Sequence, residues 1–70
     1  MVIRISYRPM GRQYLGNSSA REVHDLRNET SRCRIDETIR SGDAVVFSAD
    51  ELAKARMEGY RPCTYCIGGL

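Results

Sequence analysis

Apolar and polar positions alternate through residues 2–7, where Val2, Ile3, Ile5 and Tyr7 stand against Arg4 and Ser6. With β-branched residues prominent, this pattern predicts a strand, which Pro9 and Gly11 end. The alternative is a loose terminal arm, since terminal residues order only when docked. Gln13-Tyr14-Leu15 is a second short extended piece, and Gly16-Asn17-Ser18-Ser19 after it reads as a turn. Arg21-Glu22-Val23-His24 then returns as the hairpin partner, with Val23 on one face and His24 on the other, because successive strand side chains alternate.

Residues 25–32 are polar, and Asn28, Thr30 and Ser31 suit caps or turns. In residues 33–41, Ile35 and Ile39 recur at helical spacing and Gly42 comes next, where a left-handed cap is wanted, which predicts a helix of about two turns opened by Thr30 or Ser31. Cys33 falls in its first turn, where the helix dipole favours a thiolate, though the position suits an inert buried cysteine equally well. Ala44-Val45-Val46-Phe47 is the most strand-like run and the expected centre of the sheet. Ser48-Ala49-Asp50-Glu51 has the form of a capping box opening a helix over residues 49–58. Ala49, Leu52, Ala53 and Met57 form its predicted packing face, with Asp50, Glu51, Lys54 and Glu58 outward. Gly59 ends that helix in the left-handed region, Arg61-Pro62 stiffens the entry to the cysteine corner at Cys63, and residues 67–70 read as a short tail. The fold class is α+β: an antiparallel sheet of two to three short strands with two helices, in one domain over residues 1–70.

Size and composition add one constraint. With 70 residues, 41% hydrophobic content, a single Phe and no Trp, the core is small, with aromatic burial resting on Phe47 and some of Tyr7, Tyr14, Tyr60 and Tyr65. Chains of this size gain marginal stability from a core alone and commonly carry a staple. No apolar run reaches the roughly 18 to 20 residues that span a bilayer, and the N-terminus lacks a signal peptide's apolar block, so the expected location is the cytoplasm. The net charge of +2 does not by itself indicate a nucleic-acid partner. Arg21, Arg27, Arg32, Arg34, Arg40 and Arg61, with Tyr60 and Tyr65, would suit phosphate and base contacts; Glu22, Asp25, Glu29, Asp36 and Glu37 lie among them and offset the field.

The chemistry centres on Gly59-Tyr60-Arg61-Pro62-Cys63-Thr64-Tyr65-Cys66. Two thiolates in a C-x-x-C corner can hold one metal edge or form a redox pair. The chain has one further cysteine, Cys33, and one histidine, His24. Together these make a complete Cys₃His ligand set, with Cys63 and Cys66 as one edge and His24 and Cys33, joined by the polar loop, as the other. Three cysteines cannot all pair within one chain, and a reducing compartment disfavours a disulfide. Thiols filling a small core and a Cys63/Cys66 redox pair are the competing readings. No phosphate loop, H-E-x-x-H or acid/base pair is present, and Asp36 and Glu37 would diverge on a helix. A Cys33–His24 nucleophilic dyad lacks any visible oxyanion hole or pocket.

The runs Val46-Phe47-Ser48-Ala49-Asp50-Glu51-Leu52-Ala53 and Glu58-Gly59-Tyr60-Arg61-Pro62-Cys63-Thr64-Tyr65-Cys66 resemble the ending of the metal-binding domain of the Ada DNA-repair family and of small zinc modules similar to it. Tyr14-Leu15-Gly16-Asn17 and Val23-His24 loosely resemble the opening hairpin of such modules. The resemblance implies one bound zinc ion, with an upstream His or Cys pair completing the site. It also brings DNA binding or DNA repair into view as an alternative function. The Ada domain uses four cysteines and transfers a methyl group from a methylated phosphate to one zinc-bound thiolate. Here His24 replaces one cysteine and the loop to Cys33 is longer, so that chemistry is not carried over; Cys33 is the only positional candidate for such a nucleophile. The expected function is therefore a small non-catalytic zinc-binding domain with an interaction role. Its partner, protein or DNA, is not specified by the residues, and the unpaired edge of the hairpin or N-terminal strand would permit a homodimer.

Overall fold

The computed structural model describes residues 1–68 and has an α+β architecture built on a five-stranded mixed sheet. The strands are β1 (Val2–Arg4), β2 (Tyr14–Asn17), β3 (Glu22–Asp25), β4 (Ala44–Phe47) and β5 (Arg61–Pro62), in the spatial order β1-β4-β2-β3-β5. Helices α1 (Ile35–Arg40) and α2 (Leu52–Met57) flank β4 in sequence. Five strands replace the two to three expected, and the β3–β5 pairing is parallel, with Glu22 opposite Arg61 and Val23 opposite Pro62. A two-residue strand has no periodicity to read, so β5 exists only because β3 offers it an edge. The expected tail at residues 67–70 lies partly outside the described residues; Ile67 packs against both cores.

The N-terminal residues join the sheet: Val2, Ile3 and Arg4 pair antiparallel with Phe47, Val46 and Val45. Ile5 still donates its amide to Ala44 O at 3.0 Å, but the strand stops well short of Tyr7. In the hairpin, Gly16 and Asn17 belong to β2 and the turn slides to residues 18–21. Asn17 causes the shift, because its Oδ1 accepts from the amides of Ser19 (3.0 Å) and Ala20 (3.1 Å) and so folds the chain after itself.

Strand alternation divides the interior into two clusters, one on each face of the sheet. Leu15, Ala44 and the three cysteines gather with Ile35 of α1 on one face. Val23, Val45, Phe47 and Tyr60 gather with Ala55 of α2 on the other. Strand β4 is buried along its whole length because both faces are covered, although β2 takes the middle of the sheet. Phe47 and Tyr60 meet edge to face, with ring centroids 5.1 Å apart at 82°. Tyr7, at 70% exposure, and Tyr65, at 53%, do not enter the core.

Both helices are shorter than their patterns suggested. Before α1, Ser31–Cys33 forms a 3₁₀ turn capped by the Thr30 hydroxyl, and Arg34 at φ +53° breaks the path into the helix. Cys33 therefore lies outside α1, and the helix dipole does not act on it as expected. The capping box at Ser48 does not form. The Ser48 amide bonds Met1 O, the Glu51 amide bonds Ala49 O, and Glu51 itself is the extended N-cap of α2, with no side-chain cap bond. Asp50 is not outward: its carboxylate accepts from the amides of Gln13 (2.7 Å) and Tyr14 (2.9 Å) and ties α2 to β2. Leu52 and Ala55 face the core, whereas Ala53 and Met57 are exposed. Apolar residues surround much of this helix, so periodicity alone could not choose its buried side. The turn at Gly59 (φ +93°), which drops Tyr60 onto Phe47, chooses it. Gly42 (φ +84°) ends α1 in the left-handed region, as expected. No helix among the described residues is long and apolar enough to cross a membrane.

Candidate metal centre

His24, Cys33, Cys63 and Cys66 come together on the α1 face of the sheet, with one ligand atom from each lying within 4.8 Å of all the others. All four are buried, and the three cysteines are free. Cys33 Sγ is 3.9 Å from Cys63 Sγ, and Cys66 Sγ is 3.9 Å from His24 Nδ1. A tetrahedral ion with metal–sulfur bonds of about 2.3 Å sets its sulfurs about 3.8 Å apart, so this spacing suits a shared cation. The four residues can hold a metal ion, and they are the two pairs the sequence pointed to.

Each ligand reaches the site by a separate local device. His24 sits opposite Leu15 in the hairpin, and strand alternation turns it toward the cysteines while Val23 enters the other core. The polar loop then folds as two consecutive 3₁₀ turns, Leu26–Asn28 and Ser31–Cys33. Asp25 Oδ1 accepts from the Arg27 amide (2.9 Å) to start the first, and Thr30 Oγ1 accepts from the Arg32 amide (3.2 Å) to start the second. Arg8 clamps this loop from outside, donating to both carboxylate oxygens of Glu29 (2.8 and 2.7 Å) and to Asp36 (3.0 Å). Strand β5 delivers the corner, because the Cys63 amide donates to Val23 O at 2.9 Å directly after the parallel pairing. Cys63 O accepts from Ile67 (3.0 Å) and Gly68 (3.1 Å), closing the corner upon itself.

Each sulfur also has its own hydrogen-bonding partner. The Asp25 amide donates to Cys66 Sγ (3.1 Å), the Tyr65 amide to Cys63 Sγ (3.4 Å), and the Thr30 hydroxyl lies 3.6 Å from Cys33 Sγ. Donors aimed at sulfur favour the thiolate that a metal requires. Without a cation, burial pushes the Cys66 thiol up to about 12. At Cys33 burial also acts upward, but the hydrogen bonds from Thr30 and from the neighbouring sulfurs outweigh it and hold the thiol below its ordinary value. Burial holds the His24 imidazole below its ordinary value, against the upward pull of Glu22 and Glu29. The neutral ring thus presents Nδ1 to the sulfurs, while Nε2 faces Glu22 Oε1 at 3.9 Å, outside direct hydrogen-bond range.

Sequence reasoning named Thr30 only as a cap and missed that these groups support the sulfurs and the imidazole. Glu22 stands two residues before His24 on the same face, so strand period would have found it. Thr30 precedes Cys33 by three, a cap spacing. The amides of Asp25 and Tyr65 carry no side-chain signal at all. Of the aromatic candidates for base contacts, Tyr60 is buried with Arg21 over its ring, and Tyr65 alone is open. No protein-family model, curated protein or solved structure matches the chain.

Proposed function

We propose that this chain is a small non-catalytic zinc-binding domain in which one zinc ion, held by His24, Cys33, Cys63 and Cys66, staples the hairpin, the 3₁₀ loop and the C-terminal corner together. The convergence of four buried ligand atoms within 4.8 Å carries this reading. Three sulfurs and one imidazole nitrogen, all within 4.8 Å of one another, suit zinc's borderline-soft character. Four protein ligands leave no coordination position for water or substrate, so the ion's role is structural and the domain's role is interaction. The Gly59-Tyr60-Arg61-Pro62 approach to the corner supports kinship with Ada-like zinc modules. A redox role for Cys63 and Cys66 fits the geometry less well, because both are buried and a redox C-x-x-C ordinarily opens a helix, whereas residues 64–67 form only a turn.

Protein purified without added metal or chelator is expected to carry about one zinc per chain by elemental mass spectrometry, and a strong chelator is expected to unfold it, since metal affinity adds to folding free energy. A folded chain free of metal, with an unchanged melting curve under chelation, contradicts the proposal.

Loading also has a proton signature. Near pH 7 the metal-free Cys66 is a thiol, and His24 is already neutral because burial depresses it. Zinc must displace thiol protons and takes none from the imidazole. Adding zinc at neutral pH is expected to release about two to three protons, and apparent affinity is expected to rise by about that many powers of ten per pH unit. The staple is therefore present at neutral pH and lost as acid reprotonates the sulfurs. Titration in weak buffer with a pH indicator reads this directly; no release contradicts thiolate ligation.

A further inference from the structure

The residues next to the ligands form a surface of their own. Ser31, Arg32, Arg34, Glu37 and Tyr65 line an open polar groove of about 510 Å³. Arg32 and Arg34 flank the buried Cys33, and Tyr65 lies between Cys63 and Cys66. The groove's basic and aromatic walls are thus anchored through separate ligands of one centre, and to that extent the inference rests on the zinc reading. The Arg32 guanidinium carbon lies 5.4 Å from the Tyr65 ring centroid, and Tyr65 stays 53% exposed with Arg32 against it. Among the described residues, the Arg34 side chain is held only by an open ion pair with Glu37 at 3.2 Å, in which both side chains are more than half exposed. Water already competes for that pair, so a phosphate can replace the carboxylate.

We propose that this groove binds single-stranded nucleic acid, with one base stacked on Tyr65 and the adjoining phosphates on Arg32 and Arg34. An open aromatic face beside two guanidinium forks matches the alternation of base and phosphate along a single strand. A duplex hides its base faces, and neither six-residue helix is long enough to read a major groove along its length. The charge count sets the strength: two phosphates neutralised at about −0.7 each give a log–log salt slope of about −1.4.

The test uses the full chain, its zinc content measured in each sample, with labelled RNA and DNA strands of about twelve nucleotides followed by fluorescence anisotropy from low to moderate salt. Tyr65→Ala is expected to weaken binding about tenfold. Arg34→Gly is expected to reduce the slope to about −0.7. Since Arg34 has φ +53°, glycine relaxes the backbone there, and this variant is expected to keep its fold and zinc. Glu37→Gln is expected to strengthen binding several-fold by freeing Arg34. Zinc-loaded protein that binds neither strand at low salt overturns the groove proposal alone. Binding unchanged in all three variants places the strand elsewhere and also overturns it, as does tighter binding of a phosphopeptide or of inorganic phosphate than of either strand. A folded chain without zinc overturns the staple, and its strand binding still decides the groove.

Discussion

Cys63→Ala is expected to lose stoichiometric zinc and to leave a largely unfolded chain at 25 °C. Cys63 is 1% exposed, packed with Leu15, Ile35 and Ala44. If it were only core filler, trimming a thiol to a methyl would cost about 1 kcal/mol, the centre of the range for point substitutions. As one of the four proposed zinc ligands it would carry far more. Structural zinc binding in small domains contributes about 10–16 kcal/mol of apparent free energy at neutral pH, while a core of this size rarely supplies more than about 3–5 kcal/mol. Losing even part of the former exceeds the latter. Circular dichroism melting with elemental analysis separates the cases, and Ile35→Val serves as the packing control, expected to cost about 1 kcal/mol with zinc retained. A Cys63→Ala protein that melts only a few degrees lower would remove the staple from the account.

The second large effect is expected at Gly16, on the opposite face of the sheet. A Cβ built there meets Phe47 Cζ at 2.8 Å, Val45 Cγ2 at 2.9 Å and Tyr60 Cε2 at 3.0 Å. None of these atoms has room to retreat, because all three side chains are buried and Phe47 and Tyr60 brace each other edge to face. Gly16→Ala is therefore expected to cost about 2 kcal/mol, typical of overpacking, and to lower the melting temperature by about 8–16 °C. Zinc stoichiometry is expected to persist in the folded fraction, since Leu15 and His24 point to the other face. Adding Val45→Ala removes one of the three clashes, so the double variant is expected to be more stable than the two single costs would sum to. An unchanged melting temperature for Gly16→Ala would mean the sheet can open at β2 without penalty.

The two effects sit on opposite faces of the same strands, which is how so small a chain accommodates both a buried Cys₃His cluster and an aromatic core. Val23 and His24 show the division at its simplest: adjacent residues, both buried, one in each cluster. Period-two alternation predicted their separation. It could not predict that both sides would be covered, because coverage depends on where α1 and α2 come to rest.

Local chemistry determined a good deal of this protein. The β-branched and apolar run at Ala44–Phe47 favours a strand, Gly42 and Gly59 stop helices because left-handed backbone is cheap only for glycine, and a lone C-x-x-C with one more Cys and one His admits a single four-ligand set of Cys and His. These are short-range preferences or simple counting, and both survive without neighbours. Tertiary structure decided what depends on a partner. It made Arg61–Pro62 a strand by offering the edge of β3, and dissolved the Ser48 capping box by giving its amide Met1 O. It turned Asp50 inward to two β2 amides and set the buried side of α2 through Tyr60. It also supplied each sulfur with its donor, two of them main-chain amides whose identity no side chain reveals. Hydrogen bonds and contacts between distant segments carry these choices, and their energies exist only once the chain has brought those segments together.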